Sequence, residues 1–184
     1  MKKKLFVVLL LAAAIFVNAA KAEFQVPFLN RIASEIAKRP VVVKCRNGNE
    51  DELINYAWGY VSKPTGQAKF TVIDDYACLG ALAIDLDVEE FSDFIKVVGV
   101  SALTHESFHL KRINNNENEA ITECRAMKNY DHVLISLGAE KEVIARLIPL
   151  LILNHYVLTL NNPIYYFPDC KIPERYAEWG LTNI

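Results

Sequence analysis

The five residues His105-Glu106-Ser107-Phe108-His109 constrain the fold of this chain more than any other part of its sequence. On an α-helix, residues four apart lie on one face one turn apart, so the two histidines can direct two imidazole nitrogens at one metal ion. Glu106 follows the first histidine directly and can reach a water at that metal without binding the metal itself. This arrangement needs residues 105–109 to be helical, which the surrounding sequence predicts.

A long helical segment is predicted around these five residues. Asp87 is a suitable N-cap, Glu90 stands three residues later as its capping-box partner, and few strong helix breakers intervene before Asn114. Gly99 is the one weak point of the segment. The two histidines are therefore expected near the C-terminal end of this helix.

A second helix is predicted to begin at Glu119, after three consecutive asparagines that favour a turn. A catalytic zinc ion is typically held by three side chains, with a fourth position open to water, so a third ligand is needed. Glu119 is one candidate, and Glu123 shares its helix face. His132 is a rival, but it lies about 20 Å along a helix from Glu119, so the two cannot both bind one ion.

The HExxH motif followed by a helix with Glu-x-x-x-(acid) resembles the gluzincin arrangement of thermolysin-like and related minimal zinc metallopeptidases. The resemblance implies that His105, His109 and Glu119 bind one zinc ion. It also implies that Glu106 is the general base and that Glu123 accepts a hydrogen bond from His105. Two features depart from larger members of the family: Glu123 stands in place of the usual aspartate, and the interval from His109 to Glu119 is short.

The same region also resembles small exported bacterial peptidases of unassigned substrate, which carry a His-Glu-x-x-His-Leu-Arg-Gly and a Glu-Ala-x-x-Glu-Cys pattern. In this chain Lys111-Arg112 replaces the Arg-Gly pair. The expected reaction is peptide-bond hydrolysis, in which zinc activates a water and Glu106 takes its proton. The reaction also needs a donor to the oxyanion. The candidates are His155, Tyr156, Tyr130, Tyr165 and Tyr166.

The N-terminal residues predict export. Lys2, Lys3 and Lys4 precede an apolar run of 13 residues, Leu5 to Val17, and Ala20-Lys21-Ala22 presents a small-x-small cleavage pattern. We therefore expect residues 1–22 to be a signal peptide and residues 23–184 to form a single domain, in the periplasm or outside the cell. With 52% hydrophobic and 23% charged residues, the chain can bury a substantial core.

The charge of the mature chain argues against some partners. The chain has 20 basic and 22 acidic residues, and loss of the four lysines within residues 1–22 leaves 16 basic residues and a net charge of −6. Nucleic acid and anionic lipid are therefore not expected partners, whereas a peptide or protein substrate is. The apolar stretch Val143 to Leu160 contains Arg146, Pro149 and Asn154, so we interpret it as a buried core helix and not a membrane span.

Four cysteines, Cys45, Cys78, Cys124 and Cys170, remain after the leader, and an oxidising compartment permits two disulfides. Their spacing does not match a zinc ribbon. Three pairings are open in principle. We expect Cys45 to pair with Cys78 and Cys124 with Cys170.

The overall pattern predicts an α+β fold, and the resemblance to gluzincins implies that this fold is of the zincin type. A first helix is expected over Phe28 to Lys38, followed by strands at 41–45, 56–62 and 69–73 in a small antiparallel sheet. This sheet would pack on a helical C-terminal half. There, Glu119 to Leu137 is expected to form one helix that ends at Gly138, and Lys141 to Leu160 another that Pro149 bends.

Two other functions are compatible with this sequence. One is a non-catalytic protein that keeps the zincin fold for binding or structure. The other is a zinc amidase that acts on cell-wall amide bonds, because HExxH does not define which amide is cut. The sequence leaves substrate preference and oligomeric state open.

Overall fold

The computed structural model describes residues 24–46, 58–62, 70–86, 92–111 and 118–181. The predicted signal peptide lies outside these residues. The strands are β1 (Phe24–Gln25), β2 (Val42–Arg46), β3 (Gly59–Ser62) and β4 (Phe70–Asp74). The helices are α1 (Pro27–Ala37), α2 (Asp75–Leu86), α3 (Asp93–Lys111), α4 (Glu119–Met127), α5 (Tyr130–Ser136) and α6 (Lys141–Asn161). Two 3-10 helices follow, Pro163–Tyr165 and Glu174–Trp179. The α+β prediction is confirmed.

The four described strands form a mixed sheet in the order β1-β2-β4-β3. The prediction of an antiparallel sheet is wrong for the central pair, because β2 and β4 are parallel, with Val43 opposite Thr71. The pairs β1–β2 and β3–β4 are antiparallel. Local sequence patterns do not define strand order: β4 lies between β2 and β3, which leaves β3 as the last strand of the described sheet.

Helix α2, which the sequence analysis did not predict, follows β4 directly. Its start is capped by Asp74, whose carboxylate accepts a hydrogen bond of 2.9 Å from the backbone N–H of Tyr76. The disulfide Cys45–Cys78 ties this helix to β2, as the sequence predicted. The predicted first helix is also confirmed, with ends one residue from those expected.

Helix α3 runs through the middle of the protein and is buried along nearly its whole length. It begins at Asp93, not at Asp87, and the backbone N–H groups of Ile95 and Lys96 bond to the carbonyl of Ser92. Residues 87–91 lie outside the described residues. The two histidines occupy its C-terminal part, as predicted.

Close contact between α2 and α3 explains the glycine inside α3. A Cβ at Gly99 would lie 2.3 Å from the carbonyl oxygen of Ala77, and one at Gly80 would lie 2.0 Å from that of Ile95. Neither position has room for a side chain. Gly99 and Gly80 together therefore let the two helices pack closely.

The single helix predicted from Glu119 to Leu137 is wrong, because the chain breaks between α4 and α5 at Lys128 and Asn129. The break frees backbone carbonyls, and the C-terminal segment satisfies them. The hydroxyl of Tyr176 donates to the carbonyl of Met127 at 2.9 Å, and Arg175 donates to that of Lys128. The predicted end at Gly138 is confirmed, with a positive φ of 87° at this glycine.

Helix α6 spans Lys141–Asn161 with Pro149 inside it, as predicted. Among the described helices, it is the one long and apolar enough to cross a membrane by length and composition. One of its faces is nevertheless buried in the protein, as in a core helix. The buried residues are Val143, Ile144, Leu147, Ile148, Leu151, Ile152 and His155.

Candidate metal centre

Three side chains from α3 and α4 converge on one point. His105 Nε2 lies 2.9 Å from Glu119 Oε2, and His109 Nε2 lies 3.1 Å from the same oxygen. The two Nε2 atoms are 3.0 Å apart. Among the described residues, these three form the group whose ligand atoms lie close enough together to hold a metal ion. The structure therefore brings together the three ligands that the sequence predicted.

The size of this triangle fits a small divalent ion. A tetrahedral zinc ion with bonds of about 2.0–2.1 Å separates its ligand atoms by about 3.3 Å, slightly more than the separations here. Two imidazole nitrogens and one carboxylate oxygen form a donor set that suits zinc. His132, the rival third ligand, lies exposed on α5 and is not a member of the group.

The start of α4 places Glu119 and Glu123 beside the histidines. Asn118 is the N-cap of this helix, and its side chain accepts a hydrogen bond of 3.0 Å from the backbone N–H of Ile121. Glu119 is the first residue of the helix and Glu123 lies one turn later. The same turn carries Thr122, whose hydroxyl is 3.4 Å from Nδ1 of His109.

Glu123 is almost completely buried, with 1% of its surface exposed, and lies between two histidines. Its Oε2 is 2.8 Å from His105 Nδ1, and its Oε1 is 2.9 Å from His155 Nδ1. The hydroxyl of Tyr130 also donates to Oε1, at 3.3 Å. In the neutral form of His105, the bond to Glu123 favours the proton on Nδ1, and the Nε2 lone pair then lies on the side of Glu119 and His109.

The charges of the cluster depend on one another. Burial opposes protonation of His105, but hydrogen bonds to Glu119 and Glu123 outweigh burial and raise the pKa of His105 to about 10. Burial also opposes ionisation of Glu119, yet hydrogen bonds with the two histidines hold its pKa well below the ordinary value. The two carboxylates and two imidazoles therefore favour a positive charge between them. Either a proton or a divalent cation can supply this charge.

Glu106 lies beside the triangle and is buried, with 7% of its surface exposed. Burial raises the pKa of Glu106, the nearby histidines oppose this, and the carboxylates of Glu119 and Glu123 add to it. Its side chain lies against Gly59 on β3, where a Cβ would approach its Cγ to 2.9 Å. Gly59 was not among the residues predicted from the sequence, although a glycine inside a strand often marks such a close approach.

The five candidate oxyanion donors occupy different places. The ring of Tyr165, which is half-buried, meets that of His105 edge-on, with centroids 5.8 Å apart. His155 and Tyr130 are buried behind the triangle on Glu123. Tyr156 packs its ring 5.7 Å from that of His155, and Tyr166 is exposed. Tyr165 is therefore the candidate whose ring touches a predicted ligand.

The disulfide Cys124–Cys170 joins the ligand-bearing helix α4 to the C-terminal segment, as predicted. Cys124 follows Glu123 directly, so the bond anchors the backbone next to that carboxylate. All four cysteines are paired, which is consistent with an extracellular or otherwise oxidising location.

Comparison with known proteins finds no match: no family model, no curated protein and no solved structure matches this chain. Assignment of a function therefore depends on the chemistry of the site itself.

Proposed function

We propose that this protein is an exported zinc metallopeptidase of the gluzincin type, with a zincin-like fold. The observation that supports this proposal most directly is the convergence of His105, His109 and Glu119 within 3.1 Å of one another, with Glu106 beside them. In this proposal the three converging residues hold one zinc ion. The predicted leader and the two disulfides support a location in the periplasm or outside the cell.

A zinc ion bound there would supply Lewis acidity, which polarises a carbonyl and lowers the pKa of water to about 7. Glu106 performs the proton transfers: its carboxylate accepts a proton from the attacking water and delivers it to the leaving amine nitrogen. Gly59 and the surrounding core hold this carboxylate in place. Glu123 orients His105 by accepting the hydrogen bond from its Nδ1.

Tyr165 is our candidate for the donor to the oxyanion. It stands at the end of the 3-10 helix Pro163–Tyr165, on the C-terminal segment that follows α6. Burial raises the pKa of its hydroxyl, and the nearby carboxylates of Glu119 and Glu106 add to this effect. A protonated phenol can donate a hydrogen bond to the developing negative charge.

Edge strand β3 supports a polypeptide as the substrate. It pairs with β4 on one side and is the last strand in the order of the described sheet. An extended peptide can add to such an edge through backbone hydrogen bonds. Since Gly59 of β3 lies against Glu106, a peptide bound along this strand would run past the proposed general base.

The test separates metal binding from catalysis. Purified mature protein should hold one zinc per chain by elemental analysis, and the variants His105→Ala, His109→Ala and Glu119→Ala should each lose it. Glu106→Gln should keep the zinc and lose hydrolysis of a fluorogenic protein substrate, because the amide cannot accept the water's proton. Glu142→Gln, an exposed change on α6, is the matched control.

Three results would overturn parts of this proposal. A wild-type protein without stoichiometric zinc would exclude the metal centre. Undiminished hydrolysis by Glu106→Gln would exclude its role as the base. Release of products from peptidoglycan, with no cleavage of peptide substrates, would replace the peptidase by a cell-wall amidase.

A further inference from the structure

His155 stands out because it is a polar residue on the buried face of α6. Only 6% of its surface is exposed, and Leu151 and Ile152 beside it on this face are almost fully buried. A buried polar side chain is costly unless it forms a hydrogen bond. Its Nδ1 forms a hydrogen bond of 2.9 Å with Oε1 of Glu123, which lies 32 residues earlier in the sequence.

This bond holds one oxygen of the Glu123 carboxylate, and the other oxygen bonds to the predicted ligand His105. Oε1 of Glu123 meets His155, and Oε2 meets Nδ1 of His105. A carboxylate with a hydrogen bond at only one oxygen can still turn about that hydrogen bond, whereas hydrogen bonds at both oxygens fix its orientation. Since a hydrogen bond to a charged acceptor is roughly twice as strong as a neutral one, His155 can resist this rotation.

A second donor shares Oε1 but provides a longer bond. The hydroxyl of Tyr130 is 3.3 Å from Oε1 and 3.3 Å from the hydroxyl of Ser101, which in turn accepts a bond of 3.4 Å from Asn154. The 2.9 Å bond from His155 is the shortest at this oxygen. The polar groups around Glu123 therefore form a connected buried network in which His155 is the closest partner of Oε1.

We propose that His155 is a positioning residue for the metal centre, acting on His105 through Glu123. Helix α6 thereby contributes to the affinity of a site whose ligands all lie on α3 and α4. This inference rests on the proposed zinc site but not on catalysis. Loss of hydrogen-bond partners behind a ligating histidine typically weakens metal binding by about 10- to 100-fold.

Three substitutions at position 155 keep, shift or remove the N–H group that bonds to Glu123. His155→Asn keeps an N–H group on the atom attached to Cγ, where Nδ1 stands, so zinc affinity should stay within a factor of about 3 of the wild type. His155→Gln moves the amide one bond further, and His155→Leu removes it. We expect both to weaken zinc binding by about 10- to 100-fold, measured by competition with a chromogenic chelator.

A double-mutant cycle tests whether the effect passes through Glu123. If His155 acts through this carboxylate, His155→Leu should weaken zinc binding no further in a Glu123→Ala background. Leu151→Ala on the same buried face is the matched control, because it loses core packing while leaving the bond to Glu123 intact. It should lower the melting temperature of the metal-free protein and leave zinc affinity unchanged.

The outcomes are distinct from those that test the proposed function. If the wild type binds zinc and His155→Gln binds it equally well, His155 has no positioning role, although the metal site stands. Additive weakening in the double variant would likewise overturn the proposal. If His155→Leu does not fold, the comparison of Asn with Gln still decides, because both are polar amides that differ in where the donor lies.

Discussion

Gly59 of strand β3 lies directly against the side chain of Glu106 on helix α3. A Cβ at this glycine would approach Cγ of Glu106 to 2.9 Å and the carbonyl oxygen of Val72 to 3.1 Å. Since the second contact is with backbone of the neighbouring strand β4, the side chain of Glu106 is the partner that can move. The lack of a side chain at Gly59 thus leaves the space that the side chain of Glu106, the proposed base, occupies.

The substitution Gly59→Ala should displace Glu106 and slow hydrolysis. A misplacement of about 1 Å at a reacting group can cost about 100-fold in rate, and we expect a loss of kcat of that order. Zinc content should not change, because the atoms nearest to a Cβ at this position belong to Glu106 and Val72 and not to a proposed ligand. Steady-state kinetics together with elemental analysis tests this prediction, with Val61→Ala on the same strand as the control. Wild-type turnover in Gly59→Ala would contradict it.

Removal of metal should lower the thermal stability of the protein. In the proposed site, two imidazole nitrogens and one carboxylate oxygen within 3.1 Å of one another bind the zinc ion, and a ligand at 100 times its dissociation constant stabilises a fold by about 2.7 kcal/mol. Chelator should therefore lower the melting temperature of the wild type and of Glu106→Gln. It should leave that of His109→Ala unchanged in scanning fluorimetry. An equal shift in His109→Ala would show that zinc binds elsewhere.

The two disulfides should differ in their effect on the metal site. They close loops of 33 and 46 residues, which corresponds to about 4 kcal/mol of stability for each. Replacement of either pair by alanine should lower the free energy of unfolding by this amount in denaturant titrations. Only loss of Cys124–Cys170 should also weaken zinc binding, because Cys124 adjoins Glu123. Equal zinc affinity in both double variants would contradict this.

Acid should weaken the contact between Asp131 and Arg175. Burial opposes ionisation of Asp131, but hydrogen bonds from Arg175 at 2.6 and 2.9 Å outweigh it and lower the pKa of this carboxyl. Its contribution is therefore present above the ordinary pKa of about 3.9 and is lost as pH falls through the lower pKa of the folded protein. Since Arg175 is partly exposed, we expect about 1 kcal/mol.

Chemical unfolding of Asp131→Asn at several pH values measures this contribution. At pH 7 the variant should be less stable than the wild type, and the difference should shrink as the pH falls below about 4. Glu140→Gln, which replaces an exposed carboxyl before α6, is the control. A difference that stays constant down to acid pH would show that Asp131 acts by packing and not by charge.

Local patterns predicted several parts of the fold correctly. The first helix, the end at Gly138 and helix α6 follow from turn residues and apolar spacing, which act within a few residues. The order of strands does not follow from such patterns. Insertion of β4 between β2 and β3 depends on contacts between distant segments, so the parallel central pair was missed. At the helix break at Lys128, the backbone carbonyls likewise bond to residues far along the chain, Arg175 and Tyr176.

The sequence by itself predicted the group that could hold a metal ion, because the spacing of His105 and His109 on a helix places two donors on one face. Periodicity places Glu119 and Glu123 on one face of the next helix, and the resemblance to gluzincins suggested their roles. Tertiary structure alone decided what surrounds them: His155 behind Glu123, Gly59 against Glu106 and Tyr165 beside His105. These neighbours come from other elements, and packing, not spacing along the chain, determines which side chains meet across a core.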